Sequence, residues 1–177
     1  MYCCNICKNG IWQEVVIDDF IPCYNNQPAF SRSNGDELWV ILLEKAWAKL
    51  HKSYERIEAG FAENVMRDLT GAPTEVIETD EDELWDKLNE AEAKQFIVAA
   101  SAGSTPASKG NLEDLGLQGN HSYGILRSIE VIDKMEDKVR LVQLRNPWGD
   151  FEWSGDWGDS DTFNWTPELK KQCGWTN

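Results

Sequence analysis

The sequence predicts an α+β fold on three observations: hairpin signals near each end of the chain, two amphipathic helical segments between them, and a Thr70-Gly71-Ala72-Pro73 break that separates two lobes. The expected lobes are residues 1–71 and 72–177.

Gly10 to Phe20 alternates and is rich in β-branched side chains, so a strand is expected to run up to Pro22. Tyr2 to Cys7 is its expected partner across Lys8-Asn9-Gly10, because Asn-Gly supplies the positive φ angles of a tight turn. Asn34 with Glu37 three residues later has the form of a capping box, and Leu38, Leu42, Ala46 and Trp47 follow at helical spacing, predicting a helix to about Tyr54. A less regular stretch leads to the break. Asp80 to Lys94 predicts a second amphipathic helix, with Leu84, Trp85, Leu88 and Ala91 on one face. Gln95 to Ala100 reads as a short buried strand, and Ser101 to Asn120, small and polar, as a long surface loop. Tyr123 to Ile132 and Val139 to Arg145 form a second hairpin, after which the Trp-rich acidic tail is expected to be irregular.

Composition narrows the function. Apolar residues make up 41 % of the chain and nine residues are Trp, enough for a packed core. A formal charge of −14, without any basic stripe, argues against nucleic acid and anionic membrane surfaces as partners, while leaving cations such as Ca²⁺. No apolar run approaches ~18 residues, so no transmembrane segment is expected. Five cysteines without a secretory leader fit a reducing, cytoplasmic setting. Cys4 and Cys7 form a CxxC, but no second pair completes a zinc site.

An antiparallel hairpin brings the start of its first strand beside the end of its second, so His121 and Asn146 are expected at one edge of the sheet. The unequal arms require a bulge or a longer loop. An imidazole oriented by an amide serves as general base and acid in thiol-dependent peptide hydrolysis, and Trp148 is placed to cover their hydrogen bond. The bland alternatives are a satisfied histidine and an Asn-Pro turn opener. The tryptophans at 148, 153, 157, 165 and 175 are open to two readings, a carbohydrate-stacking platform and a core.

GNHSYGIL followed by VRLVQLRNPWGDFEWSGDW resembles the second lobe of a calpain, a papain-like, calcium-dependent cysteine endopeptidase. GIWQEVVIDDFIP, GDELWVILLEKAWAKL and DLTG likewise resemble the end of the first calpain lobe and its junction with the second. The resemblance implies a papain-like core whose second lobe is an antiparallel, barrel-like sheet. It implies His121 as general base and acid, Asn146 as its orienting partner and Trp148 as their shield, acting on protein or peptide substrates. Asn120 stands where the family more often has Gly.

The family's nucleophilic Cys lies in a Gly-x-Cys-Trp stretch, and none of the five cysteines has that context. The expectation is therefore a fragment of a catalytic core, inactive by itself, from a parent that is a calcium-dependent endopeptidase. The alternative is a non-catalytic, calpain-like regulatory or protein-binding module. Five carboxylates between Asp150 and Asp161 suit Ca²⁺ by density, although Pro147 and a preceding strand exclude an EF-hand. The resemblance selects Glu152 and Asp159 as ligands in the second lobe, and Glu37 as the nearest match in the first. The loop before His121 is expected to gate the substrate cleft.

Overall fold

The computed structural model describes residues 1–33, 35–78, 81–101 and 113–175. Helices and antiparallel sheets are both present, so the fold is mixed α+β, as expected. The chain forms two compact units, Met1–Val76 and Ile77–Asn177.

In the first unit, β1 (Tyr2–Lys8) pairs antiparallel with β2 (Ile11–Ile17), from Tyr2 opposite Ile17 to Lys8 opposite Ile11. The two-residue turn has Asn9 at φ 54° and Gly10 at φ 77°, the paired positive angles that match the strand twist. β2 stops at Ile17, earlier than expected, because the Asp18 carboxylate takes the N–H of Phe20 (2.9 Å) and turns the chain. A minimal ribbon, β3 (Cys23–Tyr24) with β4 (Gln27–Pro28), follows.

The first helix, α1, spans Trp39–Leu50 and packs Leu42 and Ala46 against Ile6, Val15 and Ile17. It is shorter than predicted at both ends. Leu38 occupies the N-cap without a side-chain bond, and Glu37 instead accepts the indole N–H of Trp39 at 3.1 Å. The other half of the expected capping box, Asn34, lies outside the described residues. A short 3₁₀ turn covers Tyr54–Ile57.

The stretch expected to be less regular contains a second helix, α2 (Ala62–Thr70). Apolar periodicity does not reveal it, because its one buried residue is Asp68, only 1 % exposed and bonded to Lys8 Nζ at 2.6 Å. Lys8 Nζ also meets Nε2 of His51 at 3.0 Å, and Nδ1 of that ring meets the Trp47 carbonyl at 3.0 Å. A part-buried ion pair with further hydrogen bonds anchors the helix together with Leu69, which packs on the Ile6–Val15 core. Gly71 ends it at φ 70°, with its N–H on the Arg67 carbonyl.

In the second unit, α3 (Glu81–Lys94) buries Leu88, and a three-stranded antiparallel sheet follows in the order β5–β6–β7. The strands are β5 (Val98–Ser101), β6 (Ser122–Ile132) and β7 (Lys138–Arg145). Most of the predicted loop before β6, residues 102–112, lies outside the described residues. β5 pairs with β6 only as far as Ile125, and further along Glu92 of α3 accepts both the N–H and the hydroxyl of Ser128 at 2.8 Å. Those bonds hold the Glu92 carboxyl below its ordinary range.

The tail is less irregular than expected. Thr166 Oγ1 accepts from Leu169 N–H and Pro167 occupies the first turn of α4 (Pro167–Gln172), a start signal present in the Thr-Pro-Glu sequence. Arg127 of β6 donates to the Cys173 carbonyl (2.7 Å) and so ties the end of α4 to the sheet.

Candidate active site

The β6–β7 ladder decides which side chains meet. From Ile132 opposite Lys138 the register runs to Arg127 opposite Gln143, then slips by one residue so that Ile125 lies opposite Leu144 and Gly124 opposite Arg145. Leu126 is the extra residue of this bulge. Because successive side chains alternate faces, a one-residue slip reverses which face of β6 matches a given face of β7. Carrying the slipped register one step further puts Tyr123 level with Asn146, and His121, two residues before Tyr123, on the same face. Without the slip Gly124 would be level with Asn146, and His121 would lie on the opposite face. The bulge therefore makes the pair possible, with His121 and Asn146 diagonal neighbours rather than directly opposed.

His121 is 7 % exposed, and its Nε2 lies 2.9 Å from Asn146 Oδ1. Asn146 Nδ2 faces the carbonyls of Asp150 and, at 3.3 Å, Phe151, so the nitrogen of that amide is committed to donation. Oδ1 also accepts from Trp148 N–H at 3.1 Å. The amide is thus oriented by three backbone groups, and its oxygen is the atom presented to the ring. It follows that His121 Nε2 carries the proton of that bond, leaving Nδ1 of the neutral imidazole as a proton acceptor.

Two aromatic rings pack on the imidazole. Trp148 lies 4.0 Å away between centroids at a 42° tilt, and Tyr123 lies 4.7 Å away at 86°. Trp148 remains 61 % exposed, so it covers the imidazole on one side and meets solvent on another. Its position follows from Pro147 and from Gly149 (φ 72°), whose N–H returns to the Asn146 carbonyl at 3.3 Å.

The segment leading into His121 is pinned at several points. Leu115 accepts the N–H of Ser154 (2.8 Å), and the Tyr123 hydroxyl accepts the N–H of Gln118 (2.8 Å). Gly116, at φ 93°, lies so close to the Glu152 carbonyl that a Cβ there would stand 2.0 Å from the oxygen. Asn120, directly before His121, is exposed and left-handed at φ 55°. Sequence reasoning missed Tyr123, Gln118 and Gly116. Only the alternation of His121 and Tyr123 along β6 held a trace of this arrangement.

The predicted metal ligands fall in both units. Glu152 and Asp159 line the same open groove of about 560 Å³, together with Trp153, Asp156 and Trp157. Glu37 lies in the first unit, beside Trp39. Among the described residues no three His, Cys, Asp or Glu side chains converge as a metal-binding group. Ca²⁺ takes about six to eight oxygens, so Glu152 and Asp159 fit it as a partial set only.

Asp161, another acid of that cluster, is committed elsewhere. Its carboxylate accepts from the backbone N–H groups of Trp157, Phe163 and Asn164 and from the Asn164 amide, at 2.8–3.1 Å. These bonds, those from Trp157 and Asn164 first, lower its pKa from 3.8 to about 2. Three of the tryptophans pack on one another: Trp165 lies 5.1 Å from Trp157 and 4.8 Å from Trp175. Trp165 Nε1 donates to the Gly158 carbonyl. None of the five tryptophans at 148, 153, 157, 165 and 175 is fully buried, and Trp153, Trp157, Trp165 and Trp175 line the open groove.

All five cysteines are free. Burial pushes the thiols of Cys4 and Cys173 above their ordinary value, which disfavours the thiolate in both.

Calpain family cysteine proteases match the whole chain, residues 1–177. The calpain-type cysteine protease ADL1 of Oryza sativa subsp. japonica is 38 % identical over 182 residues, covering 96 % of this chain and 8 % of that protein. Human calpain-12 is 40 % identical over 154 residues, covering 85 % and 21 %, and mouse calpain-9 is 33 % identical over 169 residues, covering 93 % and 24 %. The chain thus spans from about a tenth to a quarter of the length of these relatives.

Proposed function

The chain belongs to the calpain family of cysteine proteases, and from that premise we propose that it supplies the acid–base half of a thiol-dependent peptide hydrolysis. His121 takes the proton of a nucleophilic thiol on Nδ1 and later returns it to the leaving amine. Asn146 holds the ring in the tautomer this requires, and Trp148 limits water at their bond. The observation that carries this reading is the 2.9 Å bond from His121 Nε2 to an Asn146 oxygen whose amide nitrogen is already committed to backbone carbonyls.

No thiol in the chain matches the Gly-x-Cys-Trp context of the nucleophile. The reading therefore includes that residues 1–177 alone do not cleave peptides, and that the thiolate comes from another part of a full-length protein. In such a protein, His121→Ala abolishes peptide cleavage while the melting temperature stays near wild type. Retention of wild-type kcat would exclude His121 as the base.

Calcium enters as a regulatory ligand. Glu152 and Asp159 in the second unit, and Glu37 in the first, are the carboxylates assigned to it, and bound Ca²⁺ would supply charge neutralisation rather than a step of the chemistry. Two carboxylates are a small part of a shell of about six to eight oxygens, so weak binding by the chain alone is expected. Calorimetric titration tests it, and affinity unchanged in Glu152→Gln/Asp159→Asn rules the pair out. A cytoplasmic setting accords with five unpaired thiols.

A further inference from the structure

We propose that Tyr123 is a positioning residue for His121, an inference that rests on the reading of His121 as the base. Two contacts and deep burial mark Tyr123. Its ring packs edge-on to the imidazole at 4.7 Å and 86°, its hydroxyl accepts the N–H of Gln118 at 2.8 Å, and it is itself 4 % exposed. Carried one step past its last pair, Gly124 opposite Arg145, the slipped β6–β7 register puts it level with Asn146, the other group bonded to the ring.

Each contact acts on a different freedom of His121. The edge-on ring occupies the space into which the imidazole would rotate, which keeps Nε2 on Asn146 Oδ1 and Nδ1 turned away from it. The hydroxyl closes the chain from Gln118 to Tyr123 around the left-handed Asn120 (φ 55°), so the backbone that carries His121 cannot swing out independently. Beyond Gln118 the same segment is held by the Leu115–Ser154 bond and by Gly116 against Glu152. Tyr123 thereby couples the orientation of the imidazole to the seating of residues 113–120. A residue that merely filled the core would do neither.

Long-range ¹H–¹⁵N spectra and amide exchange on the full 177-residue chain test both contacts. In the wild type the Nε2–H tautomer of His121 dominates and its Nε2 proton exchanges slowly. Tyr123→Phe keeps the ring and removes the acceptor, so the Gln118 amide exchanges about tenfold faster or more while the His121 tautomer is unchanged. Tyr123→Leu removes the ring as well, so the second tautomer of His121 becomes visible and its Nε2 proton exchanges at least about tenfold faster. Unchanged Gln118 exchange in Tyr123→Phe, or an unchanged His121 spectrum in a folded Tyr123→Leu, overturns the proposal. If Tyr123→Leu does not fold, Tyr123→Met, which also removes the ring, is read for the same His121 tautomer and Nε2 exchange, and an unchanged spectrum overturns the proposal. Asn146→Ala separates the two readings: it releases the His121 Nε2 proton but leaves Gln118 protected. A slow Nε2 proton in Asn146→Ala refutes the His121–Asn146 pair whatever Tyr123 does.

Discussion

Asn146 Oδ1 lies 2.9 Å from His121 Nε2 while Nδ2 of the same amide faces the carbonyls of Asp150 and Phe151. An amide fits both surroundings because it accepts on one side and donates on the other, whereas a carboxylate offers only acceptors. In a full-length protein carrying this chain, Asn146→Ala should lower kcat by about 10²-fold with little change in KM, since orienting the base matters in the transition state. Asn146→Asp should rescue little, because a carboxylate would face two carbonyls. Steady-state kinetics on a peptide substrate check both variants.

The bulge at Leu126 sets the face on which His121 meets Asn146. Deleting Leu126 should leave a regular ladder in which Ile125 still faces Leu144 and Gly124 still faces Arg145, so the His121–Asn146 bond persists. NMR cross-strand contacts report the register, and a fast-exchanging His121 Nε2 proton in a folded deletion variant contradicts this account.

Gly116 combines φ 93° with a backbone approach that leaves no room for a Cβ. Gly116→Ala is therefore expected to destabilise the second unit by about 1–3 kcal/mol, through left-handed strain and displacement of the Glu152 carbonyl. Urea unfolding followed by Trp fluorescence measures it.

Asp161 titrates at about 2 in the folded chain, against an ordinary 3.8. A depressed folded pKa contributes stability that is fully present above the unfolded value and is lost as pH falls through the folded one. The Trp157–Trp165 segment should therefore loosen between about pH 4 and pH 2, and Asp161→Asn should remove that pH dependence. Carboxyl NMR titration gives the pKa, and a midpoint near 4 would show that the four hydrogen bonds do not persist in solution.

Asp68 is buried against Lys8, and its loss should be felt in the first unit alone. Asp68→Ala strips Lys8 of its carboxylate and α2 of its anchor, with an expected cost of about 3 kcal/mol. Lys8→Met/Asp68→Leu, which replaces both partners with apolar groups, should recover part of that loss. Chemical denaturation of the two variants distinguishes a needed ion pair from a needed shape.

Much was legible in local sequence because short-range chemistry dictates it. Asn9-Gly10 forces a two-residue turn, the apolar spacing of Leu42 and Ala46 marks the buried face of α1, and unequal hairpin arms demand a bulge. The alternation of strand residues also brought positions 121 and 146 to one end of a ribbon. α2 was not legible, because its one fully buried residue is an aspartate and only Leu69 joins the apolar core. α4 was overlooked although its Thr-Pro-Glu start is present in the sequence.

The sequence by itself determined the hairpins, the main helices, the family and the side chains available for chemistry. Tertiary structure alone decided which of them come together: Leu126 as the extra residue that reverses a face, Tyr123 edge-on to His121, and Asp161 drawn into four hydrogen bonds away from its neighbouring acids. Composition and spacing state what a residue can bond to. Which partner it takes depends on a one-residue shift between strands and on carbonyls and N–H groups brought in by distant segments, and those are properties of the folded backbone.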